Sequence, residues 1–180
     1  ILFCSVGRRC ELLKDFRKTL GEGLKIVATD NSTFAPAFAF ADRGYQVPLI
    51  SDPGYIREIL AICKKEQIQA VTTLIDPEIM LLAEHRKEFE ELGVEVLAPY
   101  LETAKLCFNK YEMFRYLQEK KIPTVMTYGT YEEFFAAYEQ KKITFPVFVK
   151  PRTGSGSVGA RKIETLEMLR DVIREDTSLI

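Results

Sequence analysis

Between Phe148 and Ile163 the chain reads FVKPRTGSGSVGARKI, with Gly154, Gly156 and Gly159 in G-x-G-x-x-G spacing and Lys150 just ahead of them. Glycines at this density let backbone N–H groups close on phosphate oxygens, and an ammonium beside them adds a compact positive charge. Three phosphate-handling loops share the spacing. A dinucleotide fingerprint needs a helix opening directly at the glycines, but here the β-like run ARKI comes first. A P-loop ends in Gly-Lys-Ser/Thr before a helix, whereas Lys150 precedes the glycines. The third is a glycine-rich flap joining two antiparallel strands, and it fits. PVFVK and ARKI supply the strands, PRTGSGSVG the loop, and Ser155 and Ser157 add hydroxyl donors. Protein kinases use a related flap, with their lysine after the glycines. The competing reading is a flexible hairpin loop without a ligand, since Gly and Ser are ordinary turn residues. A loop of this length is uncommon without a function, which favours phosphate binding.

A second set of chemistry-bearing residues follows the ends of apolar runs. VGRR ends the first run: Gly7 permits a tight turn, and Arg8 and Arg9 fall at a helix N-terminus, where two guanidiniums and the helix dipole suit a carboxylate or phosphate. The alternative is that these arginines cap the surface and pair with Glu11. Asp30 ends the second run, where dinucleotide folds place a ribose-binding acid, although Gly7 alone marks the first loop. Asp76 and Glu78 follow the fourth run. Asp76 before Pro77 reads equally well as a helix N-cap, so Glu78 is the better candidate for holding a substrate amine.

The elements that must position these groups are legible as periodicity. ILFCSV, LKIVATD, YQVPLI, IQAVTTLI and VEVLAP read as strands, with Pro48 marking an edge or irregular position. RRCELLKDFRKTL places Leu12, Leu13, Phe16 and Leu20 on one helical face. DPGYIREILAICKKEQ reads as a helix starting at its proline, and DPEIMLLAEHRKEFEEL as another. Strands and helices in alternation predict a parallel sheet covered on both faces. From about Leu101 the pattern turns mostly helical, broken near Asn109, which is placed to cap a second helix. IPTVMTYG reads as a short strand. Thr130 and Glu133 stand at capping-box spacing before another helix, and a last helix spans TLEMLRDVIRE. The domain boundary falls between about Ala98 and Asn109.

Bulk properties bound the function. A chain of 180 residues is one large or two small domains, and a net charge of −1 argues against a nucleic-acid or anionic-membrane partner. No run approaches the ~18 apolar residues of a membrane span. No secretory signal is read at the start, and Ile1 in place of Met implies a few preceding residues. Cys4, Cys10, Cys63 and Cys107 form no C-x-x-C pair and the one histidine is His85, so no Cys/His metal site is expected. The thiols read as buried and reduced in a cytoplasmic protein, with Cys4 in a strand and Cys107 near an apolar helix face. His85 reads as a solvated residue on the charged side of a helix.

FVKPRTGSGSVGARKI resembles the glycine-loop hairpin of ATP-grasp enzymes, in the branch of the carbamoyl-phosphate synthase large subunit. NKYEMFRYLQEKKIPTVMTY, TDNSTFAPAFAFADRGYQVP and TLIDPEIMLLA resemble, in order, three further stretches of that family. The resemblance implies an α/β chain: residues 1–100 a Rossmann-like parallel sheet, the pre-ATP-grasp domain, and residues 101–180 the first α+β subdomain of an ATP-grasp fold, truncated. It implies that Lys110 and Lys150 contact nucleotide phosphates and that Gly154, Ser155, Gly156, Ser157 and Gly159 form the mobile flap. Without it, Lys110 reads as a solvated lysine at a helix start. The implied activity is ADP-forming ligation of a small-molecule carboxylate to an amine through an acyl phosphate, in a cytoplasmic enzyme for which a homodimer is allowed. ATP and Mg²⁺ are the implied cofactors, with the metal ligands outside this chain. DTSLI, the last five residues, reads as the start of the strand leading to the adenine-binding hinge, so the chain alone is expected to be inactive. Carbamoyl-phosphate synthases usually carry arginine where Lys150 stands, which points to the family's smaller relatives and away from carbamoyl phosphate as product. Two alternatives remain: a non-catalytic nucleotide or metabolite binder on the same fold, and an NAD(P)-binding Rossmann protein.

Overall fold

The computed structural model describes residues 1–175 and divides the chain into two compact units, Ile1–Ala104 and Lys105–Ile180. In the first, β1 (Leu2–Cys4), β2 (Val27–Asp30), β3 (Arg43–Gln46), β4 (Ala70–Thr73) and β5 (Glu95–Val96) form one parallel sheet in the order β3-β2-β1-β4-β5. Leu2 pairs with Val27 on one side and with Val71 on the other. The order reverses between β1 and β4, so the crevice beyond their carboxyl ends is the place where such sheets take ligands.

Strand periodicity divides the core. Leu2, Cys4, Val27 and Val71 face Tyr55, Ile59 and Ile62 of α2 (Tyr55–Glu66), Leu82 of α3 (Asp76–Glu84) and Phe89 of α4 (Arg86–Glu91). Phe3 and Ala28 face Leu13 of α1 (Cys10–Leu20) and Ala37 of the 3-10 turn Pro36–Phe40. Burial on both faces explains the nearly continuous apolar strands. Truncating one such buried Leu or Ile to Ala costs about 2–5 kcal/mol.

Several expectations are corrected here. The helix expected from Pro53 begins at Tyr55, because the Asp52 carboxylate accepts from Gly54 N at 2.7 Å and holds Asp52-Pro53-Gly54 as a turn. The helix expected over DPEIMLLAEHRKEFEEL is two helices with His85 at the break, its imidazole 2.5 Å from Glu88 Oε1. Leu20, expected on the buried face of α1, ends that helix exposed. The third strand does take the edge position, but it runs Arg43–Gln46 and stops short of Pro48.

In the second unit, α5 (Leu101–Phe108) enters from the first and is followed by α6 (Lys110–Glu119), α7 (Tyr131–Glu139), β6 (Val147–Val149), β7 (Arg161–Ile163) and α8 (Leu166–Glu175). β6 and β7 are antiparallel, with Val147 opposite Ile163 and Val149 opposite Arg161. Val149 and Ile163 pack with Phe134 of α7 and with Leu169 and Val172 of α8. Phe148, one residue out of phase, is 69% exposed. Residues 122–128 form no strand: their β-branched pattern suits a sheet, but they pair with no strand among the described residues, and Val125 is 83% exposed. Cys107 is exposed, against expectation. The strand expected in DTSLI lies outside the described residues.

Candidate functional site

The glycine loop is held at its root by the start of α6. Asn109 caps that helix, its side-chain oxygen accepting from Tyr111 N at 3.1 Å and Glu112 N at 3.2 Å, as its sequence position implies. Lys110 is therefore the first helical residue, at the positive end of the helix dipole, a poor place for a cation. Its ammonium leaves the helix end and donates to Gly154 O at 2.7 Å, while its backbone N–H donates to Arg152 O at 2.8 Å. Lys110 and the glycine loop, 44 residues apart in sequence, are thus joined by two hydrogen bonds.

Beyond Arg152 the loop is open to solvent. Gly154, Gly156 and Gly159 have φ of 105°, 65° and 76°, and Ser157 shares this left-handed region at 58°. At Gly159 a side chain is excluded twice over, because an added Cβ would also stand 2.9 Å from Pro151 Cγ. Two turns shape the tip, with Val158 N donating to Ser155 O and Ala160 N to Ser157 O, and both serines are exposed. Lys150, at the end of β6, is exposed and has no ion-pair partner among the described residues. It lines a groove of about 560 Å³ together with Val125, Tyr128, Phe148 and Arg152. An apolar floor with two cations at its rim suits a flat apolar body carrying an anionic group.

Sequence reasoning missed the groups that brace this loop. The Arg152 guanidinium donates to Gly129 O and lies over the Tyr111 ring, 5.2 Å from its centroid. Tyr111 OH donates to Glu133 at 3.0 Å, and the same carboxylate accepts from Gly129 N at 2.8 Å. Burial, followed by the Glu133 carboxylate, pushes the Tyr111 hydroxyl above its ordinary pKa. Thr130 caps α7, accepting from Glu133 N at 3.2 Å, but Glu133 turns its carboxylate to Gly129 and Tyr111 instead of closing the expected box. The one available signal was the single glycine before Thr130.

In the first unit, the sheet's carboxyl edge gathers Gly7, Arg8, Arg9, Asp30 and Asp76. Asp30 is 8% exposed; its oxygens accept from Gly7 N at 2.8 Å and from Ser32 N at 2.9 Å, so it braces the first loop. Arg9 donates to Ser5 O at 2.9 Å and to Leu74 O at 3.4 Å, tying the loop after β1 to the loop after β4. Glu11 pairs with Lys14, not with either arginine, and Arg8 is exposed without a partner among the described residues. Asp76 does not cap α3: Ile75 holds the cap position, and Asp76 is the first helical residue, exposed, with Pro77 second. Its carboxylate still faces the positive helix end.

Glu78 is the residue most changed by the structure. It is 0% exposed, and its oxygens accept from the hydroxyls of Tyr55 and Thr73. It does not present a carboxylate to an amine entering from solvent. The reason is its phase: Glu78 lies four residues before Leu82, on the inward face of α3. Burial, the neighbouring Cys4 and the Glu78 carboxylate push the Tyr55 hydroxyl far above its ordinary range, so Tyr55 remains a proton donor.

Comparison with known proteins gives independent results. The family described as PylC-like, N-terminal domain matches residues 1–97. The formate-dependent phosphoribosylglycinamide formyltransferase of Saccharolobus solfataricus is 30% identical over 157 residues, covering 87% of this chain and 38% of that protein. The protein of the same name from Bacillus subtilis is 33% identical over 141 residues, covering 76% of this chain and 34% of its own. The chain spans about a third of the length of these curated relatives. Among solved structures, N5-carboxyaminoimidazole ribonucleotide synthetase from Thermus thermophilus superposes with a TM-score of 0.69 at 16% identity, over 99% of this chain and 45% of that one. The biotin carboxylase domain of the Hydrogenobacter thermophilus 2-oxoglutarate carboxylase gives a TM-score of 0.69 at 19% identity, over 97% and 40%. The two superpositions show that the chain has the fold of the N-terminal portions of these solved structures.

Proposed function

The chain belongs to the family of PylC-like N-terminal domains, and on that premise we propose that it is the front part of an ADP-forming ATP-grasp ligase that joins a carboxylate to an amine. In this reading residues 1–100 are the pre-ATP-grasp domain and residues 101–180 the first ATP-grasp subdomain. The observation that carries it is the β6–β7 hairpin, with Lys150 at the groove and the Lys110 ammonium 2.7 Å from Gly154 O. The named relatives support the chemistry, since formate is a carboxylate and phosphoribosylglycinamide an amine-bearing acceptor.

The residues present fit a nucleotide. The groove has the volume of a small-molecule site and a cationic rim, and the loop presents backbone N–H groups where side chains are excluded. Lys110 and Lys150 would neutralise phosphate oxygens, and Gly154, Ser155, Gly156, Ser157 and Gly159 would close over them and exclude water. The reaction class is phosphoryl transfer from ATP to the carboxylate, giving an acyl phosphate and ADP, then displacement of phosphate by the amine. In this reading the Mg²⁺ ligands lie outside this chain. At the sheet edge, Gly7, Arg8 and Asp76 would meet the substrate, with Arg9 and Asp30 holding the loop that carries them.

No helix among the described residues is long and apolar enough to cross a membrane. The reading places the protein in the cytoplasm, acting on small molecules, and allows a homodimer.

The test uses the whole protein with MgATP and measures ADP release as carboxylates and amines are varied. Release that requires both substrates, and falls about 10²-fold in kcat/KM for ATP in Lys150→Ala, is expected. No nucleotide affinity, with Lys150→Ala indistinguishable from the parent, refutes the proposal. Nucleotide binding without turnover favours the non-catalytic binder.

A further inference from the structure

Resting on the nucleotide reading of the hairpin, we infer that Arg152 is a positioning residue, which sets Lys110 and Lys150 through a closed circuit with Gly129, Glu133 and Tyr111. Two of its four links join the loop root to α6 and to the turn before α7, and the other two tie α6 and that turn to Glu133 of α7. Arg152 donates to Gly129 O; Gly129 N donates to Glu133 at 2.8 Å; Glu133 accepts from Tyr111 OH at 3.0 Å; and the Tyr111 ring lies under the Arg152 guanidinium. Both backbone polar groups of Gly129 are therefore engaged. Its Cα also presses on the ring: an added Cβ would stand 2.4 Å from Tyr111 Cζ and 2.5 Å from Cε1. The circuit closes only with glycine at 129 and an aromatic ring at 111.

Arg152 is two residues beyond Lys150, and its carbonyl accepts from Lys110 N at 2.8 Å. Fixing residue 152 thus fixes Lys150, which lines the groove, through the chain, and Lys110, at the loop root, through that hydrogen bond. It also places the mobile part of the flap beyond the circuit, from Thr153 to Ala160, where every residue is exposed. Inside that span, the Lys110 ammonium on Gly154 O is a single contact to a neutral acceptor. An anionic phosphate oxygen competes well for it, since it adds an attraction between opposite charges that a neutral carbonyl does not offer. Nucleotide entry would release the flap tip while its root stays fixed.

The role demands arginine geometry rather than charge alone. A guanidinium can donate in plane and stack on a ring at once, which an ammonium does not do. The experiment measures MgATP affinity of the whole protein by calorimetry for Arg152→Met, Arg152→Lys, Tyr111→Leu and the Arg152→Met/Tyr111→Leu double variant. Arg152→Met and Tyr111→Leu should each weaken binding about tenfold, the double variant should be no weaker than either, and Arg152→Lys should not restore affinity. Amide exchange at Lys110, read without nucleotide, should speed up in both single variants. Parent affinity in Arg152→Met, full rescue by Arg152→Lys, or additive losses in the double variant overturn the inference, the rescue pointing to direct phosphate contact. If the unsubstituted protein does not bind MgATP, the nucleotide reading itself falls, and the inference with it.

Discussion

Replacing Glu78 by alanine separates two roles that a carboxylate after β4 can have. In the structure Glu78 is buried and accepts from the hydroxyls of Tyr55 and Thr73, and no cation pairs with it among the described residues. Removing the carboxylate strands both hydroxyls, at about 1–3 kcal/mol each. The vacated space adds roughly 24 cal/mol per Å³ of cavity that does not collapse. Against this, burial of the carboxylate itself ceases, which returns up to several kcal/mol. The balance expected is a loss of about 2–4 kcal/mol, with Glu78→Gln losing less because it keeps one acceptor in place. Tyr55→Phe should cost about 1–2 kcal/mol alone but little more in the Glu78→Ala background, since the two residues share one hydrogen bond. Equilibrium urea unfolding followed by far-UV circular dichroism measures all four. A Glu78→Ala variant as stable as the parent, or more stable, refutes the reasoning. It would mean that the carboxylate is held there at a cost to stability, the mark of a group kept for a ligand.

Three further outcomes are expected. Asn109→Ala should cost about 1 kcal/mol in helix α6 and speed amide exchange at Tyr111 and Glu112, whose N–H groups it caps; unchanged exchange at both amides counts against the cap. Lys25, at 2.7 Å, and then Tyr45 hold the Glu66 carboxyl below its ordinary pKa of 4.5, so its contribution is present above that value and lost as pH falls through the lowered one. The stability gap between the parent and Glu66→Gln should therefore be open at pH 7 and shrink progressively as pH falls below 4.5, and a gap independent of pH refutes the pairing. In native protein N-ethylmaleimide should label exposed Cys107 first, by peptide mass mapping, while Cys4 and Cys63 label only on unfolding. Burial pushes the Cys63 thiol up to about 12 and the Cys4 thiol well above its ordinary range, so early labelling of either refutes the placement.

Much of the first unit was legible because its signals are local. β1 and β2 are buried on both faces, so each reads as an apolar run whatever lies beside it. Asn109 and Thr130 were legible for the same reason, since a cap spans only two or three residues. Strand character at 122–128 was misread because β-branched residues state a preference, whereas a strand requires a partner. The break at His85 was hidden by the chain of acids and bases on either side, which keeps helical spacing across it. Glu78 was misjudged from its place after a strand, although the four-residue interval to Leu82 was in view and gives the inward face.

The glycine loop shows where local reading stops and why. Its glycines and Lys150 are adjacent in sequence, and they were enough to choose a flap over a fingerprint or a P-loop. What holds the flap is not adjacent: the contacts of Arg152 with Gly129 and Tyr111, and of Lys110 with Gly154, join residues 23 to 44 positions apart. None of these residues is unusual in its own neighbourhood. Gly129 alone carries a trace, because a glycine before a capping threonine has no local duty there. Its duty is to let the Tyr111 ring lie against the backbone, and that ring is what gives the Arg152 guanidinium a surface to rest on. A phosphate-binding loop can therefore be named from its own residues, while the rigidity that makes its lysines usable comes from elements elsewhere in the chain.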